Sequence, residues 1–454
     1  MNIENYQDRL LKTATELMQI PSVKEPSAGE GKPFGTPIAQ ALEYMLEKGR
    51  ELGFEARNYS GYAGHIQFGQ GDETLGILCH LDVVPAGDGW SVDPYKGKIK
   101  DGKLYGRGTI DNKGPAVAVL YAMAALRDSG WQPQRTIRLI LGTDEESGWG
   151  CMDHYMKVAG KPDVGFAPDA DFPVINSEKG ILMIELTGSL PAGSGIALAD
   201  IRGGNRPNMV PDRCQLRLRG LSGKDQVIKI AAEIGARVDA QGDDGELSLV
   251  FKGVSAHGST PELGDNAISY ALAVIDRMGL KGGLTGFLQQ HVGFDCDGRK
   301  LNLELKDKVS GPLTLNLGVI SLEGETVKVQ LDIRYPVSFK EETILERINQ
   351  VLPPDFTLTR LGGMGPLHVD ANSELIQTLQ KVYEKHTGQE AKLISIGGGT
   401  YARAMDNAVA FGPVFPGQPE LAHQQDEFIE VSHLYKLTEI YADAIALLGS
   451  KGGT

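Results

Sequence analysis

Six side chains that can bind metal ions lie at or near the ends of short apolar segments with the composition of buried strands. They are two histidines, two aspartates and two glutamates: His80, Asp111, Glu145, Glu146, Asp169 and His423. Functional groups in an open α/β sheet gather where the parallel strands end at their carboxyl edge. The set therefore predicts a site in which two divalent ions share a bridging carboxylate and together activate one water molecule.

Two details of spacing strengthen this prediction. Asp82 follows His80 by two residues, within reach of the second ring nitrogen, whose proton a metal-bound imidazole needs to have held. Glu145 and Glu146 are adjacent, so their side chains point in different directions. One can bind an ion while the other accepts a proton from the water. Taken singly, each of these residues is more often a structural histidine or a solvated acid.

The composition excludes several classes of protein. The 454 residues carry a net charge of −14 with a pI near 5.2, which disfavours binding to nucleic acid or to an anionic membrane. The cysteines lack CxxC spacing, which predicts free thiols in a reducing compartment: Cys79, Cys151, Cys214 and Cys296. The first twenty residues lack the features of a signal peptide, and no apolar run is long enough for a membrane span. We therefore predict a cytoplasmic protein.

The pattern of apolar and polar residues changes twice along the chain. Residues 1–178 and 370–454 contain continuous apolar strands alternating with helices, which indicates a mostly parallel sheet flanked by helices. Residues 179–369 contain segments of alternating polarity, typical of antiparallel strands, together with three helical stretches. We predict an α/β catalytic domain formed by both ends of the chain, with an α+β lid domain of antiparallel sheets inserted as residues 179–369.

Several segments resemble motifs of a known enzyme family, in the same order along nearly the whole chain. They read GILCHLDVVPAGDGWSVDPYKGKIKDGKLYGRGTIDNKGP, LGTDEESGWG, APDADFPV, VSAHGSTPE and AHQQDEFI. The family is the co-catalytic zinc metallopeptidases, which include aminoacylase, succinyl-diaminopimelate desuccinylase, glutamate carboxypeptidase and the PepV-type dipeptidases. The segments CHLDVVPAGDGW, DNKGP and GTDEESGWG most resemble the PepV-type dipeptidases. The long insert resembles that group as well.

The resemblance implies a role for each residue of the predicted site. The implied metal ligands are His80 and Asp169 for one ion, Glu146 and His423 for the other, and Asp111 as the bridge between them. Glu145 would be the general base, and Asp82 would orient His80. The peptide bond between Asp111 and Asn112 becomes a candidate for the cis form. Zinc is the expected metal, and manganese and cobalt accept the same mixed oxygen and nitrogen ligands.

The resemblance also implies functional groups inside the insert. His257 would stabilise the oxyanion, and Asn208 and Arg334 would bind the far end of the substrate. A dipeptide ends in a carboxylate, and the planar fork of an arginine matches that group. Without the resemblance, a surface arginine at a strand end would be the more ordinary interpretation of Arg334. Asn205 lies in the same turn as Asn208 and leaves a second candidate for that role.

The glycine-rich segment LISIGGGTYARAM allows two interpretations. Gly397, Gly399 and Ala402 satisfy the spacing G-x-G-x-x-A of a dinucleotide site between a strand and a helix. However, the next strand ends without the acidic residue that would hold a ribose. We therefore predict that Gly398 and Gly399 bind a substrate carboxylate through backbone N–H groups at the start of a helix.

These observations predict a metallopeptidase that hydrolyses dipeptides with a free C-terminal carboxylate. The nearest alternative is the same chemistry on N-acyl amino acids, as in the aminoacylases. A non-catalytic peptide-binding protein is disfavoured because binding alone needs no base such as Glu145. A thiol hydrolase using Cys79 and His80 is disfavoured because adjacent strand residues face opposite ways. The resemblance also predicts a monomer, because a long lid supplies its histidine within one chain.

Overall fold

The computed structural model describes residues 3–191, 195–221, 223–243 and 245–450. The chain divides into two units. Unit 1 consists of Met1–Asn176, Val369–Ile394 and Gly399–Thr454, and unit 2 consists of Ser177–His368 and Ser395–Gly398. The insert boundaries expected from the sequence, 179–369, differ from those of unit 2 by one or two residues and do not include Ser395–Gly398.

Helices and strands are numbered separately, each in chain order. The α-helices are α1 (Gln7–Met18), α2 (Thr36–Glu51), α3 (Lys113–Asp128), α4 (Gly150–Val158), α5 (Asp225–Glu233), α6 (Ala267–Arg277), α7 (Gly283–His291), α8 (Glu341–Val351), α9 (Glu374–Thr387) and α10 (Val431–Gly449). The strands up to the start of unit 2 are β1 (Glu55–Tyr59), β2 (Ala63–Phe68), β3 (Thr74–His80), β4 (Lys98–Lys100), β5 (Lys103–Tyr105), β6 (Thr136–Gly142), β7 (Val164–Ala167), β8 (Ala170–Asp171) and β9 (Val174–Glu178). The remaining strands are β10 (Gly180–Ser189), β11 (Ala197–Gly203), β12 (Arg213–Arg219), β13 (Arg237–Asp243), β14 (Glu246–Lys252), β15 (Lys306–Asp307), β16 (Gly311–Pro312), β17 (Thr314–Glu323), β18 (Thr326–Tyr335), β19 (Thr357–Met364), β20 (Leu367–His368), β21 (Leu393–Ile396), β22 (Ala408–Ala410), β23 (Pro413–Val414) and β24 (Phe428–Glu430).

Unit 1 contains a mixed sheet in the order β1-β2-β6-β3-β7-β22-β9. Its four central strands, from β6 to β22, are parallel, and the strands on either side of them pair antiparallel. The central strands are buried nearly throughout because helices cover the sheet, as the continuous apolar runs predicted. Side chains from α1, α2, α3, α9 and α10 join those of the strands in one core. The predicted fold class is confirmed.

Unit 2 is built on an eight-stranded antiparallel sheet in the order β13-β14-β12-β11-β17-β18-β10-β19. Burial alternates strictly along β12, because one face of the sheet packs against helices and the other faces solvent. Residues from α5, α6, α7 and α8 complete this core. Helix α7 does not coincide with any of the helical stretches expected from the sequence.

Three parallel strands of unit 1 bring His80, the Glu145-Glu146 pair and Asp169 to one edge of its sheet. His80 is the last residue of β3 and stands beside Gly142, the last residue of β6. Glu145 and Glu146 follow Gly142 in a turn, and β7 ends shortly before Asp169. Among the described residues, no helix is both long and apolar enough to cross a membrane.

Candidate metal centre

The carboxylate of Asp111 lies between the two histidines of the predicted site. Its Oδ1 is 2.8 Å from Nε2 of His80, and its Oδ2 is 2.9 Å from Nε2 of His423. Asp169 approaches the same nitrogen of His80 at 3.3 Å, and Glu146 approaches the same nitrogen of His423 at 3.1 Å. The ligand atoms thus form two sets that share Asp111, each with one histidine and one further carboxylate.

The site is buried to different depths on its two sides. The His80 side chain is fully buried, whereas the His423 side chain is 50% exposed. His423 also has a left-handed backbone conformation with a φ of 63°, which is uncommon for residues other than glycine. The carboxylates of Asp111 and Glu146 contact its ring on the buried side.

Asp82 contacts His80 more closely through its main chain than through its carboxylate. Nδ1 of His80 lies 2.9 Å from the carbonyl oxygen of Asp82 and 3.6 Å from Oδ1. The carboxylate instead accepts the backbone N–H groups of Glu145 and Glu146, at 3.2 and 3.0 Å. Asp82 therefore ties the end of β3 to the turn that carries both glutamates.

This geometry gives a prediction for Asp82→Ala. The substitution removes both acceptors for the Glu145 and Glu146 N–H groups but keeps the main-chain carbonyl that faces His80. We expect zinc affinity to fall about 10- to 100-fold, as for other groups that orient metal ligands. Zinc titration against a competing chelator measures this change. Asp153→Ala, on the exposed face of α4, is the control, and an unchanged affinity for Asp82→Ala would contradict the orienting role.

Asn112 links two of the candidate ligands, and its role was not identified from the sequence. Its Oδ1 accepts the backbone N–H of His80 at 3.3 Å, and its Nδ2 donates to Oδ1 of Asp169 at 3.0 Å and to the carbonyl of Pro168. The bond between Asp111 and Asn112 is cis, as the resemblance implied. The position of Asn112 directly after a candidate ligand was the only signal of its role.

Glu145 differs from the other acids of the centre. Its side chain makes no hydrogen bond or ion pair with any other residue that the structure describes, whereas Asp111, Asp169 and Glu146 each face a histidine. Burial raises the pKa of Glu145 well above its usual value, and the negative charge of Asp169 adds to the shift. Glu145 is thus a carboxylate without a structural partner, held beside the ligand set.

The same crowding changes the pKa of the ligand groups. Burial raises the pKa of Asp169 and of Glu146, and the nearby charge of Asp111 contributes to both shifts. Hydrogen bonds to Asp111 and Glu146 raise the pKa of His423 to about 10. Burial alone would raise the pKa of Asp111, but the two histidines lower it overall. The centre therefore holds more acidic groups than its histidines can balance.

Unit 2 brings together the groups that the resemblance implied for the substrate. The N–H of Gly258 donates to the carbonyl of Asn208 at 2.8 Å, so the loops of His257 and Asn208 lie side by side. Arg334 is almost fully buried, and the positive charge of its guanidinium lowers the pKa of His257 in addition to the effect of burial.

The guanidinium of Arg334 already has partners within unit 2. Its Nε and Nη2 donate to the buried carboxylate of Asp332 at 2.9 and 2.8 Å, and its Nη1 donates to the carbonyl of Gly397 at 2.7 Å. Asp332 was not identified from the sequence, although it stands two residues before Arg334 on the same strand. The pairing fixes the plane of the guanidinium.

The interpretation of the glycine-rich segment was wrong in one respect. Residues after Gly399 form a single 3-10 turn, Tyr401–Ala404, and not an α-helix, and the chain is extended again at Met405. Neither the dinucleotide motif nor a carboxylate site at a helix start has the helix that it requires. The side chain of Thr400 accepts the N–H of Ala402, so this amide is already paired within the turn.

The thiol alternative is also disfavoured by the structure. Cys79 is fully buried within β3, and burial raises the pKa of its thiol well above the usual value. A nucleophilic cysteine needs a lowered pKa and access to the substrate. Cys151 and Cys214 are buried as free thiols as well.

Fold and site together define a metal-dependent hydrolase. Histidine and carboxylate groups converge at the carboxyl ends of the parallel strands of an α/β sheet, which is the chemistry and position of a catalytic metal centre. Residues 76–447 match the profile of Peptidase family M20/M25/M40, so the chain belongs to this family and is a metallopeptidase. The resemblance drawn from the sequence motifs is confirmed.

Individual relatives agree with this assignment. The chain is 40% identical over 450 residues to a Bacillus subtilis protein named "Putative dipeptidase YtjP", with 96% of each chain covered. It is 35% identical over 464 residues to a Staphylococcus haemolyticus protein also named a putative dipeptidase, with 99% of each chain covered. Human carnosine dipeptidase 1 has a similar structure, with a TM-score of 0.58 at 17% identity, over 98% of this chain and 97% of that one.

Proposed function

We propose that this chain is a dipeptidase that uses two divalent ions and the general base Glu145 to hydrolyse dipeptides with a free C-terminal carboxylate. The observation that carries the proposal is the division of the Asp111 carboxylate, with one oxygen toward His80 and the other toward His423. A carboxylate that faces two separate ligand sets is what a bridge between two ions requires.

The residues of the centre fit a pair of divalent ions. Histidine nitrogens and carboxylate oxygens are the donors that zinc, manganese and cobalt accept. His80, Asp111 and Glu146 each offer one ligand atom, and these atoms lie within 4.8 Å of one another. Divalent cations would also balance the acidic groups whose pKa burial raises. The proposed cofactors are two such ions, with zinc expected from the resemblance.

The proposed reaction assigns each residue a separate task. When bound, the ions supply Lewis acidity, which lowers the pKa of water and polarises the substrate carbonyl. Glu145 takes a proton from the attacking water and delivers it to the nitrogen of the leaving amino acid. The absence of a structural partner for Glu145 among the described residues supports this role, because a carboxylate engaged elsewhere could not move the proton.

The groups of unit 2 have hydrogen-bonding capacity suited to their proposed tasks. Nδ1 of His257 lies 2.6 Å from the hydroxyl oxygen of Ser259 and 3.2 Å from its backbone nitrogen. When both groups donate to Nδ1, the neutral ring carries its proton on Nε2, which can donate to an oxyanion. Arg334 has five N–H donors and uses three of them on Asp332 and Gly397. One N–H on each of its two terminal nitrogens is left for the substrate carboxylate.

The alternative of N-acyl amino acid hydrolysis differs in the charge of the substrate. A dipeptide carries an ammonium group next to the scissile bond, whereas an N-acyl amino acid does not. The relatives at 40% and 35% identity are both named putative dipeptidases, which favours the dipeptide as substrate.

A matched pair of substrates tests this choice. Ala-Ala and N-propionyl-alanine differ only in the ammonium group of the first residue. With zinc or manganese added, we expect kcat/KM for Ala-Ala to be about 10- to 150-fold higher, because a hydrogen bond to a charged group contributes about 1.5–3 kcal/mol. Equal or higher kcat/KM for N-propionyl-alanine would favour the deacylase, and equal hydrolysis of Ala-Ala-Ala would contradict the restriction to dipeptides.

The remaining parts of the proposal concern assembly and location. We propose a monomer, because the long insert contains its own His257, and a cytoplasmic enzyme with free thiols. Small peptides are its proposed partners. Asn208 stays a proposed substrate ligand, and Gly398 and Gly399 stay candidates through their main-chain atoms alone.

A further inference from the structure

Glu427 is a buried carboxylate that none of the proposed catalytic steps uses. It lies four residues after His423, immediately before β24, and its side chain is fully buried. Its oxygens accept the backbone N–H groups of three residues in the segment that leads to Asp111, with distances of 3.1 Å for Gly108, 2.8 Å for Ile110 and 3.3 Å for Asp111. One side chain therefore holds most of this segment.

Arg107 neutralises Glu427 and connects it to a third loop. Nη1 of Arg107 donates to Oε2 of Glu427 at 2.7 Å, and Nη2 donates to the carbonyl of Ala86 at 3.3 Å. The guanidinium also lies over the ring of Trp90, 5.2 Å from its centroid. The loop after β3, the segment before Asp111 and the loop of His423 thus meet at one buried ion pair.

A purely structural ion pair would not need this arrangement. Arg107 donates to Oε2 of Glu427 only. The other hydrogen bonds that the Glu427 carboxylate accepts come from the segment that ends at Asp111. The pairing of β24 with β5 already joins the two chain segments on the other side, where Gly106 donates to the carbonyl of Glu427. The carboxylate adds a constraint specifically on the residues that end at Asp111.

We propose that Glu427 is a positioning residue that sets the bridging carboxylate of Asp111 against His423 before any ion is bound. It can do so because it shares a loop with His423 and binds the main chain of Asp111 directly. The inference rests on the proposed two-ion function of these ligands. It predicts that the geometry of the shared ligand pair depends on the length of the side chain at position 427.

Two substitutions separate length from charge. Glu427→Asp keeps the charge that pairs with Arg107 but withdraws the oxygens by one methylene from the N–H groups of Ile110 and Asp111. Glu427→Gln keeps the length and one acceptor oxygen but loses the charge. The matched control is Glu73→Asp, which shortens another acidic side chain that is paired with an arginine. Oε2 of Glu73 accepts from Nε of Arg135 at 2.9 Å. This pair lies at the starts of β3 and β6, opposite to the strand ends near the candidate metal centre.

The measurements are zinc affinity by chelator competition, the visible absorption of the cobalt-substituted protein, and thermal unfolding. We expect Glu427→Asp to bind zinc about 10- to 100-fold more weakly and to alter the cobalt spectrum. We also expect a lower kcat at saturating zinc with little change in KM. Glu73→Asp should match the parent protein in all of these. Zinc affinity and cobalt spectra unchanged in folded Glu427→Asp and Glu427→Gln would overturn the proposal, even if both unfold at lower temperature.

Hydrogen exchange in the unsubstituted, metal-free protein gives a test that does not depend on how the variants fold. The amides of residues 108, 110 and 111 should be protected from exchange without metal, because Glu427 already binds them. Rapid exchange of all three would overturn the proposal. Failure of the proposed function would look different, because the unsubstituted protein would then bind fewer than two zinc equivalents or leave dipeptides intact.

Discussion

Glu145→Gln is expected to lower kcat about 100- to 10,000-fold while the protein still binds two equivalents of zinc. The substitution keeps the size of the side chain but removes its ability to accept a proton, and general base catalysis contributes about this factor. Zinc content should persist because Glu145 makes no hydrogen bond or ion pair with a histidine of the centre, whereas the other acids each contact one. Steady-state kinetics with Ala-Ala and elemental analysis of the same preparation measure both quantities.

The neighbouring residue provides the matched control for this experiment. Glu146→Gln makes the same chemical change one position further along, but at a carboxylate 3.1 Å from His423. We expect this variant to lose zinc affinity together with activity. Turnover within tenfold of the parent protein in Glu145→Gln would exclude Glu145 as the base. Loss of zinc from Glu145→Gln would instead make Glu145 a ligand.

Removal of divalent ions by a chelator is expected to abolish hydrolysis and to lower the unfolding temperature. The ions would balance the buried acids of the centre, and an ion that binds only the folded state at 100 times its Kd stabilises it by about 2.7 kcal/mol. Adding back zinc, manganese or cobalt should restore both properties. Differential scanning fluorimetry and the dipeptide assay, run on one chelated sample, measure the two effects together.

Asp111→Asn is the control for metal removal. Its side chain keeps its volume but loses the charge that both ligand sets share, so added zinc should raise its unfolding temperature much less than that of the parent protein. Hydrolysis by a sample that elemental analysis finds free of metal would contradict a metal-dependent mechanism. An equal thermal shift in Asp111→Asn would contradict the bridging role alone.

Much of the fold could be predicted from local patterns in the sequence. The apolar runs of β3, β6 and β7 identified the parallel centre of the sheet in unit 1, because strands buried on both faces need apolar residues throughout. Strict alternation along β12 identified the antiparallel sheet of unit 2. The antiparallel strands at the edges of the first sheet were not anticipated, since pairing direction depends on connections that polarity does not record.

The candidate site was predictable where residue type and strand position coincide. His80 and the Glu145-Glu146 pair follow strands that lie side by side in the sheet, so the end of each strand also located its ligand. The hydrogen-bond partners of individual side-chain atoms were not predictable in the same way. Asp82 follows His80 by two positions, yet the carboxylate of Asp82 binds main-chain N–H groups in the turn after another strand.

The sequence by itself determined the family to which the chain belongs, the kinds of candidate ligand and the strands beside which they lie. Only the tertiary structure decided that Asp111 divides its oxygens between two histidines, that Glu145 stays without a partner among the described residues, and that Glu427 binds the segment before Asp111. The reason is the separation along the sequence between the residues that make contact. Helix and strand periodicity is written in neighbouring residues, whereas Glu427 and Arg107 are 320 positions apart and meet only when the sheet has formed.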